Sequence, residues 1–263
     1  MESILTKPDI DFKDDFRQAF IVAKYEIMKF MSGKKILIFG IINALVLAIM
    51  TIVLFAVDLG DIDTESGVTM YISVSSWLML LGATLFSASS LVSEFEERTA
   101  LVLFTKPIRK GSIFMGKMMA SYGLNLGFVV LYYIIASIAV AIKTGGFTAN
   151  IFPSIGYCML YILALTAIAM LFSALMKKSS SASILTFVCI LLVPFIIGII
   201  VGIIAVTGGE TPDLWYTLNA SSQAVATSIS GTVDNGPRDA LVMLVWGVVP
   251  LLGSYFLFRR REV

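Results

Sequence analysis

The residue types that could do chemistry in this 263-residue chain concentrate in the stretch 93–117. Glu94, Glu96, Glu97 and Arg98 are followed by Thr99, by an apolar run holding Leu101, Leu103 and Phe104, and by Lys106-Pro107-Ile108-Arg109. Next comes Gly111-Ser-Ile-Phe-Met-Gly116-Lys117-Met118. This last run matches the G-x-x-x-x-G-K pattern, in which backbone amides at a strand-to-helix turn cradle phosphates and a following Ser or Thr reaches magnesium. Met118 stands where that hydroxyl is needed and no strand precedes the run, so it is not read as a nucleotide site. The chain has no histidine, which removes Ser-His and Cys-His nucleophiles and histidine-bound zinc. Cys158 and Cys189 each lie inside an apolar run and read as small buried hydrophobes, so no metal site is expected. What remains is an arrangement for docking. An acidic cluster heads a short apolar helix, Pro107 interrupts it by removing an amide donor, and a basic turn leads to a second apolar helix from near Ser112.

The elements that must position this stretch are membrane spans. Hydrophobic residues make up 58% and charged residues 14% of the chain, and the mean hydropathy is +0.92. A soluble domain is about one quarter charged. A helix needs about 20 residues to cross a hydrocarbon core of about 30 Å, and six stretches of that order lack Asp, Glu, Lys and Arg: about 36–57, 68–92, 118–142, 151–176, 183–206 and 240–258. The expected architecture is an all-α integral membrane protein forming one transmembrane domain over 1–263. None of the six stretches contains Asp or His, which argues against an intramembrane protease and against an ion-coupled carrier. Lys and Arg number seven before the first span, five in 93–117, two in 177–182 and three after 258, against none, one and one in the alternate segments. The positive-inside rule therefore puts both termini in the cytoplasm of a cell-membrane protein, with 93–117 on the same side. No nucleic-acid partner is expected.

Ahead of the first span, Phe12, Phe16, Ala19, Phe20, Ala23, Ile27, Phe30 and Met31 recur at spacings of three and four between Lys13, Arg17, Lys24 and Lys29. This predicts an amphipathic helix within 1–35, lying along the inner membrane surface with its aromatic face in the acyl boundary. Inside the spans the polar residues are mild. Asn43, Thr84, Ser87, Ser89 and Ser90 could line a path, although each alone reads first as a helix-to-helix hydrogen bond. Gly123-x-x-x-Gly127 and Gly198-x-x-x-Gly202 allow close helix approach within or between subunits. Pro194 predicts a kink in the fifth span, and the long segment 207–239, with Trp215 and Tyr216, is expected to form short helices over the outer mouth.

The run Glu94-x-x-Glu97-Arg98-Thr99-Ala100-Leu101, then Lys106-Pro107-Ile108-Arg109, then Gly116-Lys117, resembles the acidic-Thr-Leu, Pro-hydrophobic-Arg and Gly-Lys pattern of permease subunits of type-2 ATP-binding-cassette (ABC) exporters. One position departs from it, Arg98 standing where the family commonly has Gly. Six spans with both termini inside, an amphipathic connecting helix before the first, a coupling helix between the second and third and a longer outer segment between the fifth and sixth also agree with that resemblance.

The resemblance implies that two copies of the chain pair with two separate ATPase subunits. ATP and magnesium would be held by those subunits, leaving this chain without a cofactor and not itself an enzyme. Glu94, Glu97, Arg98, Thr99, Lys106, Pro107, Ile108, Arg109, Gly116 and Lys117 would form the coupling element. Within it Pro107 would set the angle between two short helices and Gly116 would permit close packing at the start of the third span. Asn43 and the Ser/Thr stripe of span two, Thr84, Ser87 and Ser90, would lie along a path at the dimer seam. Cargo would move outward, or force would be transmitted to an extracytoplasmic partner. An uncoupled channel or a structural or regulatory membrane protein is the alternative, and a docking element is what such a protein would not need.

Overall fold

A computed structural model describes residues 12–56, 62–96, 109–207 and 212–260. Helix α1 spans Phe12–Ser32, with Asp14 and Asp15 in its first turn and Lys29 in its last, the placement that complements the helix dipole. Only Gly33 and Lys34 separate it from α2, Lys35–Ala56. Lys34 makes this turn at φ 60, a left-handed conformation uncommon for a side-chain-bearing residue.

The second span begins with α3, Thr64–Gly82, capped by Asp63, whose carboxylate accepts from the Ser66 N–H at 3.4 Å and is held below its ordinary pKa first by the Ser66 side chain and then by that N–H. It widens into a π turn at Ala83–Ser87 and closes with the short α4, Val92–Glu96. The third span is α5, Lys110–Thr144, 35 residues ended by Gly145 at φ 71, whose N–H bonds the Ala141 carbonyl. Helix α6 is Ile151–Leu175. The fifth span is α7, Ser179–Phe187, a second π turn at Val188–Leu192 and α8, Val193–Val206. Helix α9, Leu218–Thr227, is short and N-capped by Thr217, and α10, Gly236–Arg260, completes the chain's described part.

Among the described residues six helices are long and apolar enough to cross a membrane: Lys35–Ala56, Thr64–Glu96, Lys110–Thr144, Ile151–Leu175, Ser179–Val206 and Gly236–Arg260. They correspond one for one to the six apolar stretches in the sequence, and no strand occurs among the described residues. Three details differ from expectation. The helix expected from near Ser112 and the third span are one helix, because the charge of Lys117 is neutralised in place and need not interrupt the chain. The second span is broken near one end. The irregularity of the fifth span, expected as a kink at Pro194, takes the form of a π turn immediately before it, where the Val193 N–H bonds the Val188 carbonyl.

The core lies where α3, α5, α6, α9 and α10 meet, around Tyr71, Ile72, Met79, Tyr132, Leu165 and Met243. Ile162 and Ala164 to Ala167 on α6 are fully buried, and α6 packs most extensively on α10. Helix α8 contributes no buried residue and α2 only four. Contacts among Asp15, Glu96, Arg109, Lys110, Ser179 and Arg259 gather one, charged, end of the bundle. Contacts of Thr64 with Thr144, of Asn150 with Glu65 and Ile229, and of Trp246 with Tyr216 gather the other.

Candidate functional site

At the charged end α1 lies across the start of α5. Their close approach is possible because residue 116 is glycine: a Cβ there would fall 2.5 Å from the Ala19 carbonyl oxygen and 2.7 Å from Val22 Cβ. Ala19, Ala23, Glu26 and Phe30 make the buried row of α1, whereas Phe16, Phe20, Tyr25, Met28 and Met31 are exposed. The helix therefore seats its small residues on α5, buries Phe30 near its end, and presents Phe16, Phe20 and Tyr25 outward.

One turn of that row ends on a charge. Lys117 is 2% exposed, and its ammonium donates to Glu26 Oε2 at 2.8 Å and to Glu94 Oε1 at 2.9 Å. Lys29 Nζ lies 3.3 Å from the same Glu94 oxygen and 3.4 Å from Ser93 Oγ. Two lysines and two glutamates thus compensate one another, which a buried ammonium requires because desolvation of an unpaired charge costs several kcal/mol. The network joins three elements: α1 through Glu26 and Lys29, α4 through Glu94, and α5 through Lys117. A second, more exposed pair repeats the link, Arg109 Nη1 to Asp15 Oδ2 at 2.7 Å. Glu96, next to Phe95 on α4, accepts from the Ser179 N–H at 2.8 Å and from its hydroxyl, so the end of the second span is also fastened to the first turn of α7.

The break in the second span is serviced by its neighbours. Asn125 Nδ2 donates to the Met79 carbonyl at 2.9 Å, and Ser121 Oγ donates to the Phe86 carbonyl at 3.1 Å. Ser173 Oγ on α6 accepts from the N–H groups of Leu91 and Val92 at 3.0 and 3.1 Å. In hydrocarbon every such backbone group must be satisfied by protein. Gly82 is required beside them, since a Cβ there would collide with the Asn125 amide.

Of the residues assigned to a path, Ser87 and Ser90 are 0% and 1% exposed, inside the subunit, with hydroxyls that have no partner among the described residues. Thr84 bonds the Leu81 carbonyl and edges a groove of about 510 Å³ at the charged end. Asn43 bonds the Phe39 carbonyl and edges a different, apolar groove of about 550 Å³ between α2 and α5. These four residues therefore do not share one surface. Around Gly123, Gly127, Gly198 and Gly202 an added Cβ would meet no other atom within 4 Å, so none of them packs two helices within the subunit.

A family model of the ABC-2 family transporter protein matches residues 20–263. The chain belongs to the ABC-2 transporter family. It is also 26% identical, over 231 residues covering 78% of this chain and 83% of the relative, to a probable ABC transporter permease protein, NosY, of Stutzerimonas stutzeri. It is accordingly a multi-pass membrane permease component of an ABC transporter.

Within this ABC-2 permease, Glu97, Arg98, Thr99, Lys106, Pro107 and Ile108 lie outside the described residues. The flanks of that segment, Glu94, Arg109, Gly116 and Lys117, are brought together with α1. Lys117 was expected to belong to a contact element, but its ammonium is turned inward and closed off by two carboxylates, so it serves as an internal tie. The sequence reading did not single out Glu26 or Asp15. A signal for Glu26 was present, since it is the one acidic residue in the row of Ala19, Ala23 and Phe30. The roles of Ser121 and Ser173 carried no sequence signal, because the π turn they service has none.

Proposed function

We propose that the chain works as one of two copies that pair with two cytosolic ATPase subunits, with both termini on the ATPase side and the segment around 97–108 as the docking element. ATP and magnesium belong to those subunits, and this chain supplies the movement. The observation that carries the reading is the Glu26–Lys117–Glu94 network. It fastens the helix entering the docking segment and the helix leaving it to the same face of α1, so a push on that segment displaces α1, α4 and α5 as a unit rather than bending one loop. The break at Ala83–Ser87 then gives the second span a place to yield. Charges such as Arg109 on the flank supply orientation and partner choice more than raw affinity.

The outward apolar faces of α2 and α8, including Ile49, Ile52, Ile196, Ile199 and Ile203, provide the surface for the second copy, with Gly198 and Gly202 permitting close approach. The acidic segments at the opposite end suit an extracytoplasmic partner, and cargo moves outward or force is passed to that partner.

Co-purification from native membranes in mild detergent, with intact-complex mass determination and an ATPase assay, tests this. Two copies recovered with two ATPase subunits, and ATP-driven activity lost in Glu97→Ala or Arg109→Ala, is the expected result. A homo-oligomer without an ATPase overturns it in favour of a channel or scaffold.

A further inference from the structure

The groove of about 510 Å³ at the charged end has Ser179, the partner of Glu96, at its edge, and its other polar residues take no part in the Glu26–Lys117–Glu94 network. It opens between the start of α2, the π turn of the second span and α7. Lys35 and Ser89 line one side of it, and α7 lines the other with Ser180, Ser183, Ile184 and Phe187. Lys35 Nζ is held toward the groove by donating to Ser89 Oγ at 2.6 Å and by lying 5.6 Å from the centre of the Phe30 ring. From these features we infer that the groove binds the phosphodiester headgroup of one anionic phospholipid.

Three independent observations carry this. The first is depth. Lys35 is the first residue of one span and Ser180 lies in the first turn of another, so the polar wall stands at the level where a bilayer places its phosphates. The second is continuity. Past the hydroxyls α7 presents Ile184 and Phe187, 65% and 38% exposed, which gives the start of an acyl chain an apolar path along α7 away from the headgroup. The third is construction. Lys35 at the start of α2 is bonded to Ser89 of the second span, and Glu96 of that span to Ser179 of α7, so the three elements that line the groove are tied to one another. Lys177 and Lys178, directly ahead of α7, add positive charge at the rim. Basic pockets between spans are the recurrent recognition device for anionic headgroups, and a volume of this size is in the ordinary range of ligand sites. A serine cluster supplies neutral donors to phosphate oxygens, and the ammonium supplies the charge.

The test is native mass spectrometry of the full chain, purified in mild detergent, delipidated and incubated with equal amounts of phosphatidylglycerol and phosphatidylcholine. The expected result is preferential retention of one phosphatidylglycerol, reduced on the order of tenfold in Lys35→Gln and kept in Lys35→Arg. Ser183→Trp, which fills the groove without removing the ammonium, should lose it as well, and this guards against a folding defect specific to residue 35. Equal retention of the two lipids, or wild-type retention in both Lys35→Gln and Ser183→Trp, overturns the proposal. Displacement of the lipid by millimolar inorganic phosphate overturns the lipid assignment and makes the groove a site for free phosphate. None of these outcomes depends on an ATPase, so the docking reading stands or falls separately.

Discussion

The ammonium of Lys117 lies 2.8 Å from the carboxylate of Glu26, a contact between residues 91 apart in sequence and both almost wholly shielded from solvent. It converts α1 from a helix adjacent to the spans into part of their packing. Because Glu94 closes the same ammonium from the other side at 2.9 Å, three elements share one electrostatic joint.

Removing one member of that joint should therefore cost more than removing the joint. Lys117→Met leaves two buried carboxylates facing each other and should lower unfolding stability in detergent by about 3 kcal/mol. Adding Glu26→Leu to it should recover a substantial part of the loss. Thermal unfolding of the single and double variants measures this, and a double variant less stable than Lys117→Met would contradict the account.

Gly116 and Gly123 separate a packing requirement from a mere small residue. Gly116→Ala places a methyl group against the Ala19 carbonyl and Val22, and should destabilise the chain by about 1–3 kcal/mol while loosening α1. Gly123→Ala meets nothing inside the subunit and should leave the monomer unchanged. Limited proteolysis of α1, run on both variants, distinguishes them.

Ser173→Ala withdraws the one acceptor shared by the Leu91 and Val92 amides. Two backbone donors at the end of a membrane span would then lose their partner, at about 1–3 kcal/mol. Hydrogen exchange of residues 88–96 should rise, and Ser173→Thr, which keeps the hydroxyl, should restore protection. Unchanged exchange in the alanine variant would mean that the break is held by other groups.

Lys34 occupies a left-handed turn between α1 and α2 without the freedom of glycine. Lys34→Gly should relieve about 1 kcal/mol of backbone strain and raise the melting temperature slightly. A fall in melting temperature would show that the Lys34 side chain contributes more than its backbone costs.

The spans were legible because hydrocarbon imposes length and apolarity on every crossing segment, and Ile36 to Val57 or Ile151 to Met176 satisfy both without interruption. Helix α5 begins eight residues ahead of the apolar stretch 118–142, because Lys110 and Lys117 look like solvated charges in one dimension, and only the approach of Glu26 makes the second of them buriable. The hydroxyls of span two were legible as polar but not as to purpose. Ser87 and Ser90 face inward because the five residues Ala83–Ser87 of their own helix leave the α pattern, a departure that local sequence preference does not encode. The docking pattern at 94–117 was legible in its ends, Glu94 and Gly116-Lys117, although their common partner on α1 lies about 70 to 90 residues away along the chain.

The π turn at Ala83–Ser87 amounts to one surplus residue inserted into an otherwise α-helical span. Deleting a single residue there would return the helix to its regular period, shorten it by about 1.5 Å and rotate everything beyond it by about 100°. Glu94 would then swing off Lys117, and Leu91 and Val92 would lose Ser173. The charged joint is thus phased by an insertion, and a one-residue deletion in a stretch that ends seven residues before the nearest acidic side chain would uncouple it without touching a single charged side chain.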